Sequence, residues 1–354
     1  MSNLGQSTPI AGSPFATGGF GLAPAVGAEF AHRIEISRSR DLLFAANDGS
    51  GTIAAFKVNP VTGALSAVPG SPFSVSGWGS FSGISLAVSN DGRFLYASGS
   101  TLVSFLIGDS GELSPIGSQW QFPQRVGAVG VSGDNSHLFV STSSAVYILA
   151  TGEGGLSTEL SDLLSIGSTA TDLRLDPEGK RMWVGTKNGG ILAYSFASGQ
   201  AAVVPGAPFA SSVSNLSGLA YDFYGRYLFA FSPLGPRLFG ARIGADGSLA
   251  SAPNTPLVPL FAPSAGALTP DGSVLFLSND NGQLDAWWPD ANGALFHLDG
   301  YPIATGAAPG VAALATFPDK TPTPAPSAPY WLMLGLATCL GLLGAWRLRP
   351  ATRH

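Results

Sequence analysis

Two pairs of charged residues, each pair spaced two positions apart, mark where chemistry would sit in this chain: Arg33 with Glu35, and Asp172 with Arg174. Each pair alternates with apolar neighbours, Ile34 and Ile36 in one case and Leu173 and Leu175 in the other. In extended strands each pair therefore shares one face. Charge is scarce, 17 Lys and Arg plus 22 Asp and Glu in 354 residues, and burying it without a partner is costly. His32 enters the first of these strands, and Arg125 enters a third. As a functional set, Arg33, Arg125, Asp172 and Arg174 would bind a ligand, the three arginines holding an anionic group, while Glu35 or His32 would move a proton as acid or base. The competing reading is structural, with Arg–carboxylate pairs that tie adjacent strands together.

Other sequence features carry less. Gly77-Trp-Gly-Ser-Phe-Ser-Gly83 is glycine-rich but leads into a strand, so no helix terminus is available to cradle a phosphate. Asp91-Gly92 and Asp271-Gly272 read as hairpin turns, since no spaced carboxylate array follows to hold calcium. His137 and His297 lack metal-ligand spacing, and the single cysteine, Cys339, excludes an internal disulfide and any cysteine-built zinc site. No Gly-x-Ser-x-Gly elbow is present. No metal and no cofactor is expected. Trp287-Trp288 reads as one core residue and one exposed ring, the latter a possible contact for a carbohydrate or protein ligand.

The elements that position these residues recur. Six segments share an apolar strand, a polar turn and a second strand with a large apolar centre. They are Ile36–Asn47, Val88–Ser98, Val131–Thr142, Leu175–Thr186, Tyr221–Ser232 and Leu268–Asn279. Aligned on Phe44, Tyr96, Phe139, Trp183, Phe229 and Phe276, they repeat every 43 to 52 residues, the period of a four-stranded propeller blade. A third strand follows each pair, from Thr52–Val58 to Gln283–Trp288. A fourth, outer strand ends near Gly70-Ser-Pro-Phe73, Gly206-Ala-Pro-Phe209, Asn254-Thr-Pro-Leu257 and Gly300-Tyr-Pro-Ile303, where proline suits a blade rim. On the innermost strands most blades carry small residues, such as Gly130 with Ala128 and Ala267 with Ala265, so the charged pairs of blades 1 and 4 stand out.

The run Asn59-Pro-Val-Thr-Gly-Ala-Leu-Ser-Ala-Val-Pro-Gly-Ser-Pro-Phe73, with second strands FAAN, FVST and FLSN, resembles the YVTN-type, lactonase-like β-propeller family over residues 4 to about 317. That resemblance implies a seven-bladed ring. It also implies relatives that are 6-phosphogluconolactonases or muconate-cycloisomerase-like enzymes, alongside many surface proteins without assigned activity. If this chain is an enzyme, the resemblance implies a lactonase, a carboxylic ester hydrolase. Enzymatic members carry a richer set of His, Arg and Glu around the channel. Here only His32 occupies such an entry, and Phe81, Thr169, Asn215 and Ala308 stand where others would.

The expected fold is all-β, a propeller of four-stranded antiparallel blades, six of them complete, with an incomplete seventh. Val311–Phe317 would be that blade's inner strand and Leu4–Phe15 its turn and outer strand. Its two middle strands, together with an export signal, are expected ahead of Met1. The expected domains are residues 1–317 as propeller, 318–329 as a Pro/Thr/Ser-rich linker, 330–346 as a transmembrane helix and 347–354 as a basic cytoplasmic tail.

The charge distribution supports that division. Residues 1–319 hold 13 basic and 22 acidic side chains, 13 − 22 = −9, whereas residues 320–354 hold four basic and no acidic ones, +4. From Tyr330 to Trp346 no residue is charged. Aromatic residues lie at both ends and Arg347 and Arg349 follow, as in bacterial C-terminal envelope-sorting tails. The expected address is thus a bacterial envelope membrane with the propeller outside the cytoplasm. The acidic balance argues against a nucleic-acid partner. The composition and the thin channel chemistry favour a binding or scaffold module, and a hydrolase opening a sugar-derived lactone is the alternative.

Overall fold

The six aromatic residues on which the repeats align sit at the deepest level of burial. Phe44, Phe139, Trp183, Phe229 and Phe276 are wholly inaccessible and Tyr96 is 1% exposed. Each occupies the centre of a second strand and packs against the next blade, Phe44 with Leu95 and Phe105, Phe139 with Leu173 and Met182, and Trp183 with Leu219 and Leu228. Fully burying a side chain of this size contributes on the order of 2–3 kcal/mol, which makes these positions the main anchors of each repeat. The computed structural model describes residues 7–21, 32–37, 39–76, 78, 84–124, 126–233, 237–279, 281–305, 310–317, 331–338 and 342–348.

Among these residues the chain forms an all-β propeller of six four-stranded antiparallel blades. The inner strands are Ile34–Ser37, Ser85–Val88, Val126–Val131, Ala170–Leu175, Gly218–Tyr221 and Ala265–Leu268, for blades 1 to 6. They pack side by side in chain order around an axis. Gly310–Phe317 packs between the inner strands of blades 6 and 1. Its buried Ala313 joins the core of blade 1, with Ile34 and Leu43, and its buried Leu314 joins that of blade 6, with Val274 and Phe276. Small residues do crowd the axis. A Cβ added to Gly130 would lie 2.8 Å from Leu175, and one added to Gly266 would lie 2.8 Å from Phe231.

The proline-containing runs behave differently from expectation. In blade 1 the fourth strand is Leu65–Ala67, and Phe73–Ser74 folds back onto the third strand, pairing Phe73 with Ile53. Blades 4 and 6 repeat this with Phe209 on Ile191 and Ile303 on Leu284. Proline between the two contacts cannot donate to a ladder, which breaks the outer strand into two short pieces. Blades 2 and 3 lack the Gly-x-Pro run, and their fourth strands, Leu113–Trp120 and Ser157–Ser165, continue through register shifts, with Pro115 inside the first of them.

The helix expected over residues 330–346 is not shown. The structure describes two strands, Trp331–Thr338 and Leu342–Leu348, and no helix of the described residues is long and apolar enough to cross a membrane. These strands pair with each other, with Gly310–Phe317 on one side and with Ser7–Pro9 on the other, in the positions expected to be filled from ahead of Met1. The reason lies in the sequence pattern. LLGAWRL repeats the third-strand pattern of TIAAFKV (Thr52–Val58) and QLDAWWP (Gln283–Pro289), with Ala345 matching Ala55 and Ala286. Phe15 pairs with Leu343 as Phe73 pairs with Ile53. The linker at 318–329, Tyr330, Cys339 and residues 349–354 lie outside the described residues.

Candidate functional site

The turns joining first to second strands set one rim of the channel, and their carboxylates are spent on the turns themselves. Asp91 Oδ1 accepts from the Ser89 hydroxyl at 2.6 Å and the Arg93 amide at 3.0 Å, and Asp271 Oδ1 does the same with Thr269 and Ser273. These are hairpin turns, as their sequence indicates, and no group of three or more metal-ligating side chains occurs among the described residues.

Asp172 is the hub of the axis. It is wholly buried on the inner strand of blade 4. Its Oδ1 lies 2.6 Å from His32 Nε2 and accepts from the Leu173 amide at 2.8 Å, while its Oδ2 accepts from the Leu219 amide of blade 5 at 2.7 Å. Arg174 Nε donates to the Leu219 carbonyl at 2.8 Å and lies 3.4 Å from Asp172 Oδ2. The two charges of the Asp172–Arg174 pair thus bind blade 4 to blade 5. Burial alone would raise the Asp172 pKa. Arg174, His32 and the Leu219 amide outweigh it and hold the carboxyl below its ordinary range.

His32 arrives from blade 1, 140 residues away. Its carbonyl accepts from the Leu86 amide of blade 2, which fixes the chain where the inner strand begins. Its Nδ1 lies 3.2 Å from Arg174 Nη1. A guanidinium only donates, so Nδ1 must accept, and the ring proton then sits on Nε2, donated to Asp172. Both ring nitrogens are engaged. His32 is a strut between opposite sides of the ring, and in this arrangement it has no nitrogen left to act as acid or base.

Glu35 and Arg174 do share a space. A cavity of about 450 Å³ lies on the axis, lined by His32 and Glu35 of blade 1, Asn90 of blade 2, Arg174 and Asp176 of blade 4, Tyr221 and Phe223 of blade 5 and Thr269 of blade 6, among others. Its volume falls within the range of small-ligand pockets. Arg174 is its cation among the described lining residues.

Arg33, by contrast, turns away from it. The side chain is buried and its Nη1 pairs with buried Asp48, just beyond the second strand of the same blade. The two charged residues of blade 1 therefore differ in setting, Glu35 lining the cavity and Arg33 paired with Asp48, and Arg33 precedes the regular strand that begins at Ile34. Arg125 lies outside the described residues.

Sequence reasoning missed Asp48, Asn90, Asp176, Tyr221, Phe223 and Thr269. The last five sit at or next to the repeated turn, so their common position in the repeat was the available signal. Trp287 is buried and donates from Nε1 to the buried carboxylate of Asp285 at 2.9 Å. Half-buried Trp288 stacks on Phe296 with ring centroids 4.7 Å apart. His297 also binds Asp285, at 2.8 Å, and His137 binds the Ser136 hydroxyl at 2.7 Å.

No protein-family model and no curated protein sequence matches the chain. Solved structures do match its fold. A 6-phosphogluconolactonase candidate from Bacteroides uniformis superposes with a TM-score of 0.66 at 16% identity, over 77% of this chain and 85% of that one. The periplasmic gluconolactonase of Pseudomonas aeruginosa gives 0.65 at 16%, over 77% and 86%. The Cps50 (Swd1) β-propeller domain of Myceliophteria thermophila gives 0.61 at 14%, over 96% and 100%. At these identities the likeness establishes a β-propeller and leaves chemistry to the site itself.

Proposed function

We propose that this protein is a binding propeller of a bacterial envelope whose axial cavity takes a small ligand through an anionic group, with Arg174 as the receiving cation. The observation that carries this reading is the engagement of His32 on both ring nitrogens. The side chain best placed for proton transfer is built into the scaffold, and what opens on the cavity is a braced guanidinium. Bracing by Asp172 and the Leu219 carbonyl holds the guanidinium in place before a ligand arrives, which lowers the entropy cost of binding. The test is calorimetric titration with gluconate and with inorganic phosphate. Arg174→Lys should weaken the wild-type affinity about tenfold by replacing a planar fork with a point charge. Equal affinity in both proteins would defeat the assignment.

Glu35 favours a second reading, since it lines the same cavity. A lactonase would use it as the base for water attacking the ring carbonyl. The ring C–O bond would break, the proton would pass to the departing oxygen, and Arg174 would hold the acid's charge. Acid release from glucono-δ-lactone and its 6-phosphate separates the two readings. The binding reading expects the spontaneous rate, and an acceleration abolished by Glu35→Gln would replace it with the hydrolase.

The envelope address rests on composition: 17 uncharged residues ending in aromatic rings, then Arg347 and Arg349, which the positive-inside rule places in the cytoplasm. Membrane insertion and the antiparallel sheet are alternative placements of one stretch of chain. Resistance of the full chain to alkaline carbonate extraction from membranes, lost on truncation after Phe317, is the expected result. Recovery of the full chain in the soluble fraction would leave the strands as the segment's sole role.

A further inference from the structure

The first-to-second strand turn of blade 5 departs from its repeat in one respect. At its two central positions the other turns carry Arg38-Ser39, Asn90-Asp91, Gly133-Asp134, Pro177-Glu178 and Pro270-Asp271. Blade 5 carries Phe223-Tyr224. Both aromatic residues are exposed, Phe223 by 41% and Tyr224 by 64%, at a place where the fold itself asks for polar residues or proline. Exposed aromatic residues grouped beside a cavity mark a contact surface.

The pair is held in place. Its rings lie edge to face with centroids 5.7 Å apart. The guanidinium carbon of Arg226 sits 5.2 Å from the Tyr224 ring centroid, in cation–π contact. Arg226 is in turn clamped by buried Asp222, Nε to Oδ2 at 2.8 Å and Nη2 to Oδ1 at 3.0 Å, and it donates to the Asp271 carbonyl of blade 6 at 2.7 Å. Phe223 also lines the axial cavity, together with Arg174, Glu35, Asn90 and Thr269.

We infer that the site takes an acidic oligosaccharide, its terminal uronate entering the cavity and the next sugar lying on the Phe223–Tyr224 platform. This rests on the cavity reading proposed above and names its ligand class. A sugar ring has C–H faces that cover an aromatic ring and a rim of hydroxyls that hydrogen-bond. The site offers that combination, with the Phe223 ring lining the cavity, the exposed Tyr224 ring packed beside it, and Glu35, Asn90 and Thr269 within. With Nε of Arg174 on the Leu219 carbonyl and Nη1 on His32, the Nη2 end of the guanidinium is what meets a carboxylate on the terminal sugar. Phe223 touches the cavity and Tyr224 lies next along the chain, so a ligand longer than one sugar contacts both.

The experiment is calorimetric titration of the full chain with galacturonate, trigalacturonate and neutral maltotriose. The proteins compared are the wild type, the double variant Phe223→Asn with Tyr224→Asp, and the single variant Tyr224→Ser. The double variant installs the blade 2 turn residues and keeps Gly225, so the fold has a precedent for it, and Tyr224→Ser alters only an exposed ring. The expected result is that trigalacturonate binds the wild type at least about tenfold more tightly than galacturonate, with maltotriose weaker than both. Tyr224→Ser loses that advantage while its galacturonate affinity stays unchanged, and the double variant, which also changes the cavity lining at Phe223, loses it as well. Trigalacturonate binding no better than the single sugar, or a double variant that keeps the advantage, overturns the platform and leaves the cavity reading standing. A wild type that binds gluconate or phosphate but neither uronate overturns the sugar class alone. A wild type that binds none of them overturns both.

Discussion

Asp172→Asn tests the hub most directly, because it preserves shape and removes charge. Asparagine offers one oxygen and one NH2 where Asp172 has two acceptor oxygens. If the oxygen stays on the Leu219 amide, the NH2 faces His32 Nε2–H, donor against donor. Turning the imidazole to its other tautomer moves the collision to Arg174, which cannot accept. One collision therefore survives every arrangement. Removing one partner from a buried ion pair costs roughly 3–5 kcal/mol, and hydrogen bonds to charged groups contribute about 1.5–3 kcal/mol each. The Arg174 side chain is 23% exposed and can regain some water, so the expected loss sits near the lower end, about 3 kcal/mol.

Urea unfolding at neutral pH measures that loss, and a double-mutant cycle with His32→Leu isolates the cross-axis contact. A coupling above about 1 kcal/mol is expected. Additivity within about 0.5 kcal/mol would refute the strut, since it would show that His32 and Asp172 do not sense each other. The pH dependence supplies an independent check. The Asp172 pKa is lowered in the folded state, so its contribution is fully present above the unfolded value of about 4 and fades as pH falls through the folded value. The stability gap between wild type and Asp172→Asn should therefore narrow below pH 4 and stay constant from pH 5 to 7.

Four further outcomes follow, three of them from contacts between blades. Gly179→Ala should cost more than about 2 kcal/mol by thermal or urea unfolding: its φ is +65° and a Cβ there would meet the Gly133 amide nitrogen of blade 3 at 2.0 Å. Gly167→Ala, with nothing within 4 Å of the added carbon, should fall within about 0.5 kcal/mol of wild type. Trp183→Phe removes the Nε1 bond to the Gly247 carbonyl at 3.1 Å, and it should cost about 1–3 kcal/mol because the carbonyl is left unpaired. Ser98→Ala deletes the 2.6 Å bond from blade 2 to the Gly127 carbonyl of blade 3, and a loss of about 1 kcal/mol on urea unfolding is expected.

The blades were legible in the sequence because each repeat keeps an aromatic or large apolar residue at one depth. Second strands set by Phe44, Trp183 and Phe276 fall where the pattern places them. The outer edge was harder to read. The turn after Leu65–Ala67 and the return of Phe73 onto Ile53 both read as one extended strand, since a strand broken by proline and a strand ending at proline share the same residues. The stretch from 330 to 348 shows another limit. An uninterrupted apolar run satisfies a bilayer and a blade interior equally well, and only the match of LLGAWRL to the third strands points to the sheet.

The site was legible as a set of charges and illegible as a set of partners. Alternation along Arg33–Ile36 and Asp172–Leu175 says which side chains share a face, but it is silent on what stands across the axis. That depends on the number and spacing of blades, and it brings His32 to Asp172 over 140 residues. The partnering then decides the chemistry. Arg174 can only donate, so as long as it bonds to Nδ1 the imidazole keeps its proton on the Asp172 side and offers a ligand nothing. An Arg174 that releases His32 would free a base but lose the contact that braces the guanidinium. Strut and base are mutually exclusive roles for one ring, and the 2.6 Å and 3.2 Å contacts on its two nitrogens assign it to the strut.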